Sequence, residues 1–282
     1  MPQIRELALT GIPRSGTTLA CTIINRHPHA LALAEPLDPN AWPIDFDAQL
    51  SVVRSEFIFL REHCLRTGRA PSRQRNGVIV DNFFYSVGTE RRSYAADVAE
   101  VIIGKPLHRD FLLVIKQNAA FLALLQRLSE QMHVIAVVRH PLAVLASWLN
   151  VDLPVAHGRL PMAERMDSNL RATLDAENDV RNRQLHVLDW CYRRIGSLRG
   201  QVTVVSYESI LASHGRALLA ACGLPTDDLR TPPPDWLRAP AMAPSAQIEA
   251  FARSLQAMPD NAGWREFYGE SDLRRYVERP GP

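Results

Sequence analysis

The 282-residue chain is 46% hydrophobic and 22% charged, an ordinary globular composition with enough length to bury a sizeable core. A net charge of +2 gives no reason to expect nucleic acid as the partner and leaves room for local basic pockets. Four cysteines without C-x-x-C spacing suggest neither a disulfide framework nor a metal site and fit a reducing compartment.

No run approaches the ~18 apolar residues of a membrane span, and the N-terminus lacks the basic and apolar regions of a secretory signal. The sequence therefore predicts a cytoplasmic protein with no transmembrane segment, stem or leader. Only two of its basic residues, Lys105 and Lys116, are lysines, so a lysine here stands out against the arginines.

In chain order, the apolar run Leu7 to Thr10 reads as a buried strand and Thr17 to Arg26 as the helix after it. Ala30 to Ala34 is a weaker strand. Residues 40–105 read mainly as helix and loop. Leu112 to Ile115 is followed by a helix at Ala119 to Glu130, and Val134 to Val138 by one at Pro141 to Leu149, with Pro141 suited to a first helical position. Residues 151–195 again read as helix and loop, with a charged helix from about Met162 to Leu198. Val202 to Ser206 and a helix at Glu208 to Cys222 close the series, and the Pro-rich TPPPDWLRAP at 231–240 is a loop. Strand alternating with helix predicts an α/β fold, a P-loop-like parallel sheet flanked by helices. We read residues 1–282 as a single domain whose helical insertions, about 40–105 and 151–195, shape an acceptor pocket.

Between the first strand and helix lies GIPRSGTT, residues 11–18. Gly11, Gly16 and Thr18 fall where the phosphate-binding pattern G-x-x-x-x-G-K-[ST] wants them, but Thr17 takes the lysine's place. The amides of Ser15, Gly16, Thr17 and Thr18 are predicted to face one anion, helped by the helix dipole. Without the lysine the loop suits one 5′-phosphate and its substituent rather than a triphosphate. Arg14 adds a bidentate cation at the crest.

Read onward, PRSGTTLACTIINRHPHALALAEPL resembles the PAPS-dependent sulfotransferase family, especially the carbohydrate sulfotransferases, whose loop reads P-[RK]-S-G-[ST]-[ST]. That resemblance implies 3′-phosphoadenosine 5′-phosphosulfate (PAPS) as co-substrate, adenosine 3′,5′-bisphosphate (PAP) as product, and no metal. A second family signature is an arginine at a strand end with a serine eight residues on, both on the donor's 3′-phosphate; VVRHPLAVLAS supplies Arg139 and Ser147. His140 departs from the family's usual Asp or Asn. A third, VTVVSYESIL, implies Tyr207 as a neighbour of the adenine, a buried core tyrosine being the other reading. The matches run from about residue 7 to 225 and leave out both insertions. They imply two separate cationic pockets, a nucleoside's length apart.

For the chemistry, Arg14 and Lys116 are the candidates to neutralise charge on the transferring group. Lys116 ends the apolar FLLVIK with no acid beside it in sequence, and a snorkelling lysine is the alternative. Cytosolic members carry Lys-x-His at this place, where the chain has Lys116-Gln117-Asn118, so their histidine base is absent. The resemblance then points to Glu35 in ALALAEPL as the base, its carboxylate partly desolvated and its pKa raised; a helix-capping or salt-bridging glutamate is the alternative. His27, His29 and Asp81 are weaker candidates, Arg238 is left unassigned, and no metal-ligand spacing occurs among the nine histidines. The implied acceptor is a hydroxyl, of a sugar or polysaccharide or else of a small molecule. Two rivals stay open: a P-loop kinase or NTPase, which needs a Mg²⁺-holding acid at a later strand end, and a non-catalytic nucleotide-binding protein.

Overall fold

A computed structural model describes residues 5–79, 84–85, 93–94, 97–226 and 246–278. Asp81, Arg238 and the 231–240 loop lie outside the described residues.

In chain order β1 (Glu6–Gly11) leads to α1 (Thr17–Asn25), β2 (Ala30–Ala34) and α2 (Phe46–Thr67). Next come β3 (Arg69–Gln74), the short β4 (Phe84–Tyr85) and β5 (Ser93–Tyr94), and β6 (Asp97–Ile102). Then follow β7 (Leu112–Lys116), α3 (Asn118–Ala123), α4 (Leu125–Ser129), β8 (His133–Val138) and α5 (Pro141–Leu149). After these stand α6 (Pro161–Met166), α7 (Ser168–Ala176), α8 (Val180–Gly196), β9 (Thr203–Ser206), α9 (Tyr207–Ala212) and α10 (Arg216–Ala221). Helices α11 (Ala246–Gln256) and α12 (Glu270–Glu278) complete the order.

The five apolar runs form one parallel sheet in the order β2-β7-β1-β8-β9. Alternate side chains feed two cores, because successive residues of a strand point to opposite faces. Ala8, Leu33, Ile115 and Val138 enter the larger, with Phe57 of α2 and Tyr192 of α8. Leu7, Ala32, Val114 and Val137 enter the smaller, with Ile23 of α1 and Leu218 of α10. Helices thus cover both faces, as the alternation predicts.

Three expectations need correction. Residues 40–105 hold an antiparallel hairpin, β3 with β6, as well as helix and loop. Its strand RAPSRQ is polar and lacks the apolar alternation by which a strand is recognised. The span Met162 to Leu198 is three helices, because Asp167 and Asp179 each turn a side-chain oxygen onto the amides of a new helix and cap α7 and α8. Finally, Glu208 to Cys222 is two helices, α9 and α10, divided at Gly215, whose φ of 88° is left-handed. Among the described residues no helix is long and apolar enough to cross a membrane.

Candidate active site

The carboxyl end of every strand in the sheet carries a candidate residue. Beyond β1 lies the loop with Arg14 and Ser15; Glu35 follows β2, Lys116 ends β7, Arg139 follows β8 and Tyr207 follows β9. The parallel strands all run one way, so these five ends share one edge, the place where open α/β sheets bind ligands.

The loop is built by close approach. A Cβ on Gly11 would lie 2.4 Å from the Val137 carbonyl oxygen, and one on Gly16 would lie 2.4 Å from the Tyr207 ring. Gly16 has a φ of 96° and caps α1 with no side chain over the helix's first amides. Ser15 is a correction to the predicted amide cradle: its N–H donates to the Ile12 carbonyl at 2.9 Å. The amides of Gly16, Thr17 and Thr18 remain for an anion. The Ser15 hydroxyl is buried and has no hydrogen-bond partner among the described residues. Trp148 Nε1 donates to the Pro13 carbonyl at 2.9 Å and fixes the loop from α5.

The two expected cationic pockets touch. Arg14 has a left-handed φ of 74°, and its Nε donates to Ser147 Oγ at 3.1 Å. Arg139 Nη1 donates to the Arg14 carbonyl at 3.2 Å, and its guanidinium lies 4.3 Å from the centre of the Tyr207 ring. Arg14, Ser147, Arg139, Tyr207 and Gly16 therefore form one contiguous constellation. Tyr207 is half-buried, packed on one side against the smaller core and on the other against Gly16 of the loop. From behind, the Tyr192 hydroxyl donates to the Arg139 carbonyl, and the His140 N–H donates to Glu208 Oε1 at 2.9 Å.

Glu35 and Lys116 meet beside this cluster. Ala34 pairs with Lys116 in register, so the next residue along β2 lies at the lysine, and Lys116 Nζ donates to Glu35 Oε1 at 2.5 Å. The lysine side chain is 2% exposed, which rules out a snorkelling role. Arg73 of β3 donates Nε to Glu35 Oε2 at 2.6 Å. Burial works to raise the Glu35 carboxyl, yet the Lys116 ammonium, followed by the Arg73 guanidinium, outweighs it and holds the group below its ordinary value. The expectation of a raised pKa is thus overturned: the desolvation is present, but two cations accompany it.

Three contributors were missed in the sequence. Arg73 sits in a polar stretch that matches no motif, Glu208 is fixed only by tertiary contact, and Trp148 adjoins Ser147 but reads as core. Among the described residues no group of three or more His, Cys, Asp or Glu could hold a metal ion. Arg165 of α6 donates to the carbonyls of Pro39, Asn40 and Trp42, joining one insertion to the start of the other just beyond Glu35.

A family model described as "Sulfotransferase family" matches residues 7–228. Among solved structures, the "Sulfotransferase Domain from the Curacin Biosynthetic Pathway" is 13% identical, with a TM-score of 0.41 over 98% of this chain and 96% of that one. The "Sulfotransferase Domain from the Synechococcus PCC 7002 Olefin Synthase" is 15% identical, with a TM-score of 0.41 over 99% and 95%. A comparison with curated proteins found no relative.

Proposed function

The chain belongs to the sulfotransferase family, and from that premise we propose that it moves a sulfuryl group from PAPS to a carbohydrate hydroxyl with Glu35 as the base. The observation that carries the reading is the convergence of all five strand ends on one anion-binding edge with an acid–lysine pair beside it.

The residues fit such a donor. The unpartnered Ser15 hydroxyl and the open amides of Gly16, Thr17 and Thr18 suit its 5′-phosphosulfate. Arg139 and Ser147 suit its 3′-phosphate, and Tyr207 its adenine. When bound, the donor supplies an activated sulfuryl group. Glu35 takes the proton of the acceptor hydroxyl as that oxygen attacks sulfur and the bond from sulfur to the 5′-phosphate oxygen breaks. Lys116 and Arg14 offset the charge that gathers on the transferring oxygens, an effect strengthened where water is excluded. The joined insertions beyond Glu35 would shape the acceptor's side. All four cysteines are buried and unpaired, which suits the reducing cytoplasm we assign.

A binding comparison tests the donor site. If Arg139 and Ser147 hold a 3′-phosphate, PAP should bind more tightly than 5′-AMP by about 1.5–3 kcal/mol, the worth of a charge-assisted hydrogen bond. That is roughly ten- to a hundredfold. Equal affinities reject the assignment. Labelled PAPS offered to methyl glucoside, methyl galactoside, N-acetylglucosamine and a set of aliphatic alcohols tests the acceptor, and transfer to the alcohols alone would overturn the carbohydrate.

A further inference from the structure

β2 is an edge strand of the sheet, so its outward backbone groups need partners from elsewhere. Ser72 of β3 supplies one. It is fully buried, and its Oγ accepts the Ala34 N–H at 3.0 Å. One residue further along each chain, Arg73 meets Glu35, Nε to Oε2, at 2.6 Å. The Ser72 bond sets the register, and the β3–β6 pairing, with Arg73 opposite Val98, stiffens the strand that carries the guanidinium. Glu35 itself has a φ of 48°, a left-handed conformation that β2 does not continue and that a non-glycine residue keeps only where its surroundings hold it.

Both carboxylate oxygens of Glu35 are engaged, Oε1 by Lys116 and Oε2 by Arg73. Each oxygen keeps a second lone pair, but two adjacent cations favour the ionised form and make the carboxylate a weak base until one of them moves away. Lys116 is the cation with somewhere to go, because it pairs in register with Leu9 of β1, the strand that runs into the anion-binding loop. Arg73 enters from outside the sheet edge. Among the described residues Cys21 of α1 also lies within electrostatic reach of Lys116 and Glu35; burial pushes its thiol up to about 12, so it adds no charge.

We propose that Arg73 is the positioning residue for the transfer reaction: it keeps hold of Glu35 Oε2 while Lys116 turns to the transferring group, leaving Oε1 aimed and free for the acceptor's proton. The proposal rests on the reading of Glu35 as base. It adds to that reading a residue from an insertion that the family signatures do not reach, and it gives the hairpin a part in the chemistry.

Transfer to the best acceptor among the sugars above tests it, with kcat followed against pH. Arg73→Met should lower kcat at least tenfold with donor KM unchanged, and should move the acidic limb of the profile upward, because the carboxylate has lost a stabilising cation. Arg73→Lys should restore most of both. PAP affinity checks that each variant is folded. In a Glu35→Gln background, Arg73→Met should cost nothing more, since a residue acting through Glu35 has nothing left to position. A wild-type kcat in Arg73→Met, or a further loss on top of Glu35→Gln, overturns the proposal and leaves the base reading standing. Full activity of Glu35→Gln alone sinks the base reading instead, so the two failures are told apart.

Discussion

Lys116 and Glu35 stand 81 residues apart in the chain and 2.5 Å apart in space, Nζ to Oε1, with the lysine side chain 2% exposed. An ammonium so buried needs a compensating charge, because an isolated ion away from water costs several kcal/mol. The parallel register supplies it by setting Ala34 beside Lys116. The same lysine ends β7 beside β1, the strand that runs into the GIPRSGTT loop, and under the proposed function it serves the transferring group as well as Glu35.

Lys116→Met keeps most of the aliphatic stem and removes the cation. Sulfuryl transfer should fall by about 10²–10³-fold, the usual effect of losing one donor to developing charge. PAP affinity should stay near the wild-type value, since Arg139 and Ser147 are untouched. The Glu35 carboxyl should titrate at higher pH, Lys116 being the largest of the influences that lower it. Carboxyl-labelled NMR reads the titration, and labelled-donor kinetics reads the rate. A variant that transfers at the wild-type rate would remove Lys116 from the chemistry.

What the sequence made legible was local. GIPRSGTT and the eight-residue step from Arg139 to Ser147 each lie within one strand–helix unit, so spacing read together with the family resemblance picked them out. Lys116 drew notice because no acid stood near it in sequence, but its partner arrives through pairing of β2 with β7, which no local pattern records. Arg73 was hidden more deeply. Its strand is polar, its hairpin pairs across a gap of more than twenty residues, and its contact with Glu35 depends on one serine docking at a sheet edge. The Glu35 pKa was misjudged for the same reason, since the desolvation was foreseeable and the two cations were not.

Gly16 has a φ of 96° and lies where a Cβ would come within 2.4 Å of the Tyr207 ring. Gly16→Ala therefore imposes both backbone strain and a clash, and strain of this kind costs on the order of 1–3 kcal/mol. Thermal unfolding should drop by roughly 2–4 °C for each kcal/mol lost. Displacing the ring also disturbs its contact with Arg139, so PAP affinity should weaken along with stability. Gly104→Ala is the control, for a Cβ there meets nothing within 4 Å. Equal melting temperatures and PAP affinities for the two variants would show that the loop tolerates a side chain and that Tyr207 does not depend on this approach.

His140 links acidity to the same constellation. Its ring stacks on Tyr276 of α12, with centroids 4.6 Å apart and planes 8° from parallel, and meets Tyr268 edge-on at 5.4 Å. Burial lowers its pKa, and Arg139 adds to the lowering, while Glu208 and Asp272 oppose without prevailing. The folded protein thus holds a neutral imidazole at pH values where the unfolded chain binds a proton. Stability is then complete above about 6.5, the ordinary histidine value, and falls as pH drops below it toward the folded pKa. Urea unfolding measured from pH 7.5 to 5 should show this decline in the wild type. His140→Phe keeps an aromatic ring for Tyr276 but has no proton to bind, so the part of the slope belonging to this site should vanish. The variant should also hold α12 in place at pH 5.5, read as slower amide exchange in Glu270–Glu278 than the wild type shows at that pH. Identical slopes for the two proteins would mean that His140 titrates alike folded and unfolded and that acid loosens this corner by another route.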